Sequence, residues 1–116
     1  MTLQVRSPAS QIKTLQMSHT AATVAHVPVL INTHLLIPTS AADANALNGF
    51  TYEAEISGIG KAAALAIGVG DKLYWDDTNK VVNKTASGNT AMGYALEPCA
   101  SADTVTGLVA FNAFAA

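Results

Sequence analysis

An all-β fold, a small sandwich or barrel with an extended N-terminal arm, is what this 116-residue sequence predicts. Three observations carry it. Phe50, Tyr52, Ala54 and Ile56 alternate with Thr51, Glu53 and Glu55, the period of two that sets one strand face on a core and the other in solvent. Turn clusters of Gly, Asn, Asp and Pro recur roughly every 8 to 15 residues, with short apolar runs between them. No apolar stripe at helical spacing persists. The length suits one domain, read here as an arm over 1–20 and a single β-rich domain over 21–116.

Taken in order, residues 1–27 are rich in Thr, Ser and Gln, with Leu3, Val5, Ile12, Leu15 and Met17 two or more apart and Pro8 interrupting. This predicts an extended arm with short strands. Val29-Leu30-Ile31 and Leu35-Leu36-Ile37, split by Asn32-Thr33-His34 and closed by Pro38, form two short strands or one irregular buried segment. Ser40 to Leu47 predicts a single helical turn, Ser40 being the N-cap and Asp43 three residues on, ended by Asn48-Gly49. The alternating strand comes next, then Gly58-Ile59-Gly60 and an alanine-rich piece to Ile67 that suits strand or helix. Gly68-Val69-Gly70-Asp71 turns into Lys72–Trp75, and Asp76-Asp77-Thr78-Asn79 turns out of it into Lys80-Val81-Val82, a β-hairpin by turn chemistry. Gly88-Asn89 leads into Thr90–Leu96, and Pro98 breaks that run. From Thr104 to Phe111, Val105, Gly107, Val109 and Phe111 alternate with Thr104, Thr106 and Leu108, predicting a last strand.

Charge is scarce. Six Lys and Arg and eight Asp and Glu make 12% of the chain, about half the usual share, while half of the residues are hydrophobic. Many small apolar groups with few charges suit a surface that something covers, as in an oligomer or a coat component. The N-terminal arm and the C-terminal segment are nearly bare, and no residue from Thr104 to Ala116 is charged, so partners are expected at the two ends. A net charge of −2 without any basic stripe argues against nucleic acid. No apolar run approaches the roughly 18 to 20 residues of a membrane helix. The stretch from Ala21 to Ile31 is broken by His26 and Pro28, so no secretory leader is expected. The single cysteine, Cys99, permits no disulfide within the chain.

Each possible chemical site has a simpler reading. Gly58-Ile59-Gly60-Lys61 resembles a phosphate loop only superficially: Glu55 stands where that motif needs glycine, and Ala62 where it needs a magnesium-binding hydroxyl. His19, His26 and His34 are seven and eight residues apart, matching no local ligand pattern, so no metal is expected. Cys99 has no basic neighbour in Pro98-Cys99-Ala100-Ser101 to activate it. Asp76-Asp77 is better explained as turn composition than as a calcium or acid–base pair. No enzymatic activity and no cofactor are expected.

Two segments carry a family resemblance. Gly70-Asp71-Lys72-Leu73-Tyr74-Trp75-Asp76-Asp77-Thr78 and Gly88-Asn89-Thr90-Ala91-Met92-Gly93-Tyr94-Ala95-Leu96-Glu97 resemble paired segments of small tailed-phage capsid cement, or head decoration, proteins. Lys61-Ala62 and Ala66-Ile67 fit the stretch before the first, so the similarity spans residues 50–106. His26-Val27-Pro28-Val29 stands where the family has a Gly-Asp-Pro-Val turn, and the tail ends in small apolar residues instead of an alternating charged strand. The resemblance implies a structural β-protein on the outside of an expanded icosahedral capsid, made in the host cytoplasm. Its partners would be the major capsid protein and further copies of itself, a trimer being favoured and a dimer possible. The alternative is another virion part, such as a head fibre base or tail accessory. Leu3, Val5, Ile12 and Leu15 are expected to bind capsid through the arm; Tyr74, Trp75, Phe111 and Phe114 are expected to serve self-association.

Overall fold

The computed structural model describes residues 3–6, 12–31 and 34–114. Nine strands run in chain order: β1 (Gln4–Val5), β2 (Lys13–Ser18), β3 (Val29–Ile31), β4 (His34–Pro38), β5 (Leu47–Ser57), β6 (Lys72–Asp76), β7 (Val81–Asn83), β8 (Thr90–Ala95) and β9 (Val109–Asn112). The described residues contain no helix. All the strand pairs are antiparallel and join one curled sheet, a half-barrel with the order β3-β4-β5-β9-β8-β6-β7. β1 and β2 pair on β5.

β5 is the spine. Its eleven residues are the longest strand, and the predicted apolar face is there: Phe50, Ala54 and Ile56 are buried and Tyr52 is half-buried. The acidic face holds for Glu53 and Glu55 but not for Thr51, which is buried between its cross-strand partners Thr14 and Ile37. β4 explains this. Leu35, Leu36 and Ile37 are all buried, so the strand is enclosed on both faces, as a continuous apolar triplet requires.

The half of the sheet built from β6 to β9 closes tightly. Asp76 fixes the β6–β7 turn: its carboxylate accepts hydrogen bonds from the backbone N–H groups of Thr78 (3.0 Å) and Asn79 (3.2 Å) and from the Asn79 amide (2.8 Å). Gly93 lets β8 and β9 approach. Its φ is +129°, and a Cβ there would lie 1.9 Å from the Ala110 carbonyl oxygen. After β5 the chain leaves Gly58, buries Ile59 completely and carries residues 60–62 along the outer edge of β7. There the Ala62 N–H donates to Val82 and the Val82 N–H to Gly60, at 2.9 and 2.8 Å.

Three local expectations are corrected. Ser40–Leu47 forms turns and no helical turn: Ser40 donates its hydroxyl to the Asn48 side chain (2.8 Å) instead of capping, and Asn45 takes a left-handed φ of 65°. The alanine-rich piece to Ile67 is neither strand nor helix, because it reverses direction at Ala64, also at positive φ. The last strand is shorter than the alternation suggests, starting at Val109. Before it, Val105 is exposed and Thr106 is buried, inverting the pattern, because this stretch follows Gly58–Lys61: the Thr106 N–H donates to Ile59 and the Lys61 N–H to Thr104. The Thr106 hydroxyl, buried by that inversion, has no hydrogen-bond partner.

Candidate functional site

Two halves of the sheet share β5 and differ in chemistry. Between residues 14 and 52, Asp43 is the only Asp, Glu, Lys or Arg. That stretch supplies β2 from Thr14 onward, β3, β4, the start of β5 and the loops joining them. The Lys13–Glu53 ion pair (3.0 Å) marks its boundary, and Glu53 holds the Lys13 ammonium above its ordinary pKa by a direct hydrogen bond. The chain's main charge-poor surface thus lies across one half of the fold, from the arm through β4, and not at the two ends alone.

The charge-poor half also exposes apolar side chains: Leu47 at 69%, Val24 at 61% and Val27 at 45%. Alanines 21, 25, 41 and 44 are exposed around the same loops. The loops are held in place by backbone pairing. Thr23 and Ala42 exchange both N–H···O bonds (2.9 and 3.2 Å), and the His26 N–H donates to Pro38 (2.9 Å). Between that bridge and β3 the chain turns at Ala25-His26, where the Val27 N–H donates to Val24 (3.2 Å). Asn48 locks the bridge, donating to the Ser40 carbonyl (2.8 Å) and the Thr23 hydroxyl (3.2 Å).

Of the expected arm residues, Leu3 is in the core, and Val5, Ile12 and Leu15 are half-buried against it. β1 and β2 lie as extended strands, but both are hydrogen-bonded along β5, so these described residues form a sheet margin and not a loose tether. Trp75 and Phe111 are each only 1% exposed. Their side chains are enclosed within the chain's own core, with the Trp75 indole N–H donating to Asp77 at 3.1 Å. Tyr74 is half-buried, with the Lys72 ammonium 5.8 Å from its ring centre. Phe114 is half exposed and packs on His34 and Tyr52, at centroid distances of 4.9 and 5.4 Å.

Sequence reasoning missed the structural role of Lys61, which it weighed for phosphate binding and as part of the family resemblance. The lysine is 5% exposed, and its ammonium donates to the carbonyls of Ala62 (3.0 Å), Leu65 and Ser101 (3.5 Å). It pins two loops together beside an open cleft of about 390 Å³ that Ala63, Ala64, Asp103 and Thr104 also line. A lysine after a Gly-Ile-Gly turn gives no local sign of that role, because its acceptors are backbone carbonyls up to 40 residues away. Among the described residues, no three His, Cys, Asp or Glu side chains converge as a metal cluster would. Cys99 is buried and accepts a hydrogen bond from the Gly107 N–H at 3.2 Å.

The segments that carry the resemblance lie in the other half and are framework. Asp71 accepts from the Gly68 N–H (2.7 Å) and the Lys84 ammonium (3.2 Å), and Asn89 donates to Asn83 and Thr85. A family model described as phage cement protein matches residues 8–111. The chain belongs to the phage cement protein family. No curated protein and no solved structure matches it. Cement proteins are structural components of the virion that associate with the capsid, so the functional surface of this one is a docking surface. The match runs through the charge-poor half, including the position where the Gly-Asp-Pro-Val turn was missing.

Proposed function

We propose that this cement protein binds the outer surface of an expanded phage head and stabilises the shell, acting as a homo-oligomer on the major capsid protein. The family match over 8–111 carries the reading. The charge-poor half supports it physically, since a face with one charge in 39 residues loses little electrostatic hydration when a partner covers it. Val5 and Leu15, on the outer strands, and Ile12, just before β2, belong to the capsid contact; Leu3 serves it by anchoring β1 in the core. Tyr74 and Phe114 belong to self-association, while Trp75 and Phe111 hold the strands beneath them. A trimer is the favoured state because an icosahedral shell offers threefold positions. Many modest contacts per particle then add by multivalency.

Co-sedimentation with expanded and with immature shells tests this. Binding confined to expanded shells is expected; equal binding to both, or to neither, would overturn it. Light scattering on the unbound protein should give three times the monomer mass, and a monomer at micromolar concentration would remove the oligomer from the account.

A further inference from the structure

The two halves differ in their strand edges as well as their charge. In the β6–β9 half the outermost strand, β7, is covered by residues 60–62. In the charge-poor half, the outermost strand is β3, which pairs with β4 on one side, and among the described residues nothing pairs with its other side; before it the Val27 N–H closes a turn on the Val24 carbonyl (3.2 Å) and Thr23 bridges to Ala42. Soluble proteins guard such edges with lysines, inward charges or bulges, because unpaired backbone groups recruit foreign strands. This edge has none of those charges. It is three residues long, and Pro28, which lacks an N–H, and the Val24–Val27 turn with its left-handed His26 (φ 61°) precede it. β2, which with β1 forms the margin along β5, is guarded at its start by Lys13 and a register shift between Lys13 and Thr14.

From this we infer that the edge of β3, with the Val24–Val27 turn beside it, is a strand-acceptor site that takes an extended, uncharged segment of a capsid subunit by β-augmentation. The inference rests on the decoration reading and adds to it the surface used. Backbone bonds along Val29–Ile31 would supply affinity, and the exposed Val24 and Val27 would supply apolar contact upstream. The occupant's chemistry follows from charge: no charged side chain within 23–31 is available to pair with one, so a charged occupant would be desolvated without compensation. A capsid segment is the occupant argued for because the family associates with capsid.

The test is amide hydrogen exchange on the full chain, free and bound to expanded shells stripped of cement protein, together with the double variant Val24→Lys, Val27→Lys. Both valines are exposed, so the variant should unfold at the wild-type temperature. Exchange at residues 29–31 should slow at least about tenfold on binding, and the variant should bind shells at least about tenfold more weakly. Bound wild-type protein with unchanged exchange at 29–31 would overturn the inference while leaving decoration intact. Protection that rises with concentration in the absence of shells would also overturn it, by assigning the edge to a second copy. If wild-type protein fails to sediment with any shell, the decoration reading itself falls. Should the variant misfold, the exchange measurement on wild-type protein still decides.

Discussion

The half of the molecule built from β6 to β9 and the half built from β2 to β4 solve opposite problems. The first spends its polar residues on itself. Asp71, Asp76, Asp77, Asn83 and Asn89 all bond within their own turns or to near neighbours, Gly93 admits a backbone contact no side chain would allow, and residues 60–62 cover the last edge. The second has almost no charge and leaves the outer edge of β3 unpaired among the described residues; exposed apolar side chains occur in both, Val24, Val27 and Leu47 here and Val69, Tyr94 and Val105 there. The segments resembling cement proteins lie in the self-satisfied half. Recognisable motifs can therefore mark the part of a protein that makes the fold, while the surface proposed here to meet the partner has a plainer sequence.

The sharpest way to break this contrast is Gly93→Ala. The added methyl has nowhere to go but into the Ala110 carbonyl, so the β8–β9 pairing should fail at a cost above about 4 kcal/mol, read by urea unfolding. Gly88→Ala, also at positive φ but facing open space, should cost only about 1 kcal/mol. Equal costs at the two sites would mean that the close crossing of β8 and β9 is not what holds this half.

Lys61→Ala comes next. It removes a buried cation from three carbonyls and should cost about 2 to 3 kcal/mol, with faster amide exchange in residues 61–65 and 100–104 and none of that change in 23–42. A smaller gain is expected in the same half. Thr106→Val deletes a buried hydroxyl that has no partner and should stabilise by about 1 kcal/mol in the same unfolding assay.

The gentlest probe is acid. Hydrogen bonds from Asn79 to Asp76 and from Lys80 to Asp77 hold both carboxyls below the ordinary aspartate range, and the Gly68 N–H does the same for Asp71. Their folded values lie below the unfolded value of about 3.9, so their contribution is present above that pH and is lost as pH falls through the folded values. These groups face solvent, which keeps the effect small. Trp75, bonded to Asp77, gives the readout: its fluorescence should change below about pH 4 while amide protection in 23–42, relative to the intrinsic exchange rate at each pH, stays constant.

How much of this could be read from the sequence depends on range. Period-two alternation located β5, and Asp76–Asn79 located the hairpin, because both are decided within a few residues. Three things were hidden because they depend on distant partners. Thr106 is buried and Val105 exposed through pairing with Gly58–Lys61, some 45 residues earlier in the chain. Ser18 and Asn48 carry no local sign that β2 closes on β5. Trp75 and Phe111 have the composition of an interface anchor and of a core residue alike, and only the packed sheet places them in the core. The lack of charge was legible at both ends of the chain, while the unity of the stretch broken only by Asp43 shows once β2, β4 and β5 lie side by side.

An image reconstruction of expanded shells decorated with this protein tests the central claim most directly. The account predicts residues 14–52 against the capsid surface, with the edge of β3 in contact and the Asp76–Lys80 turn pointing away. A reconstruction with the β6–β7 turn seated on the shell and Val24, Val27 and Leu47 in solvent would contradict it.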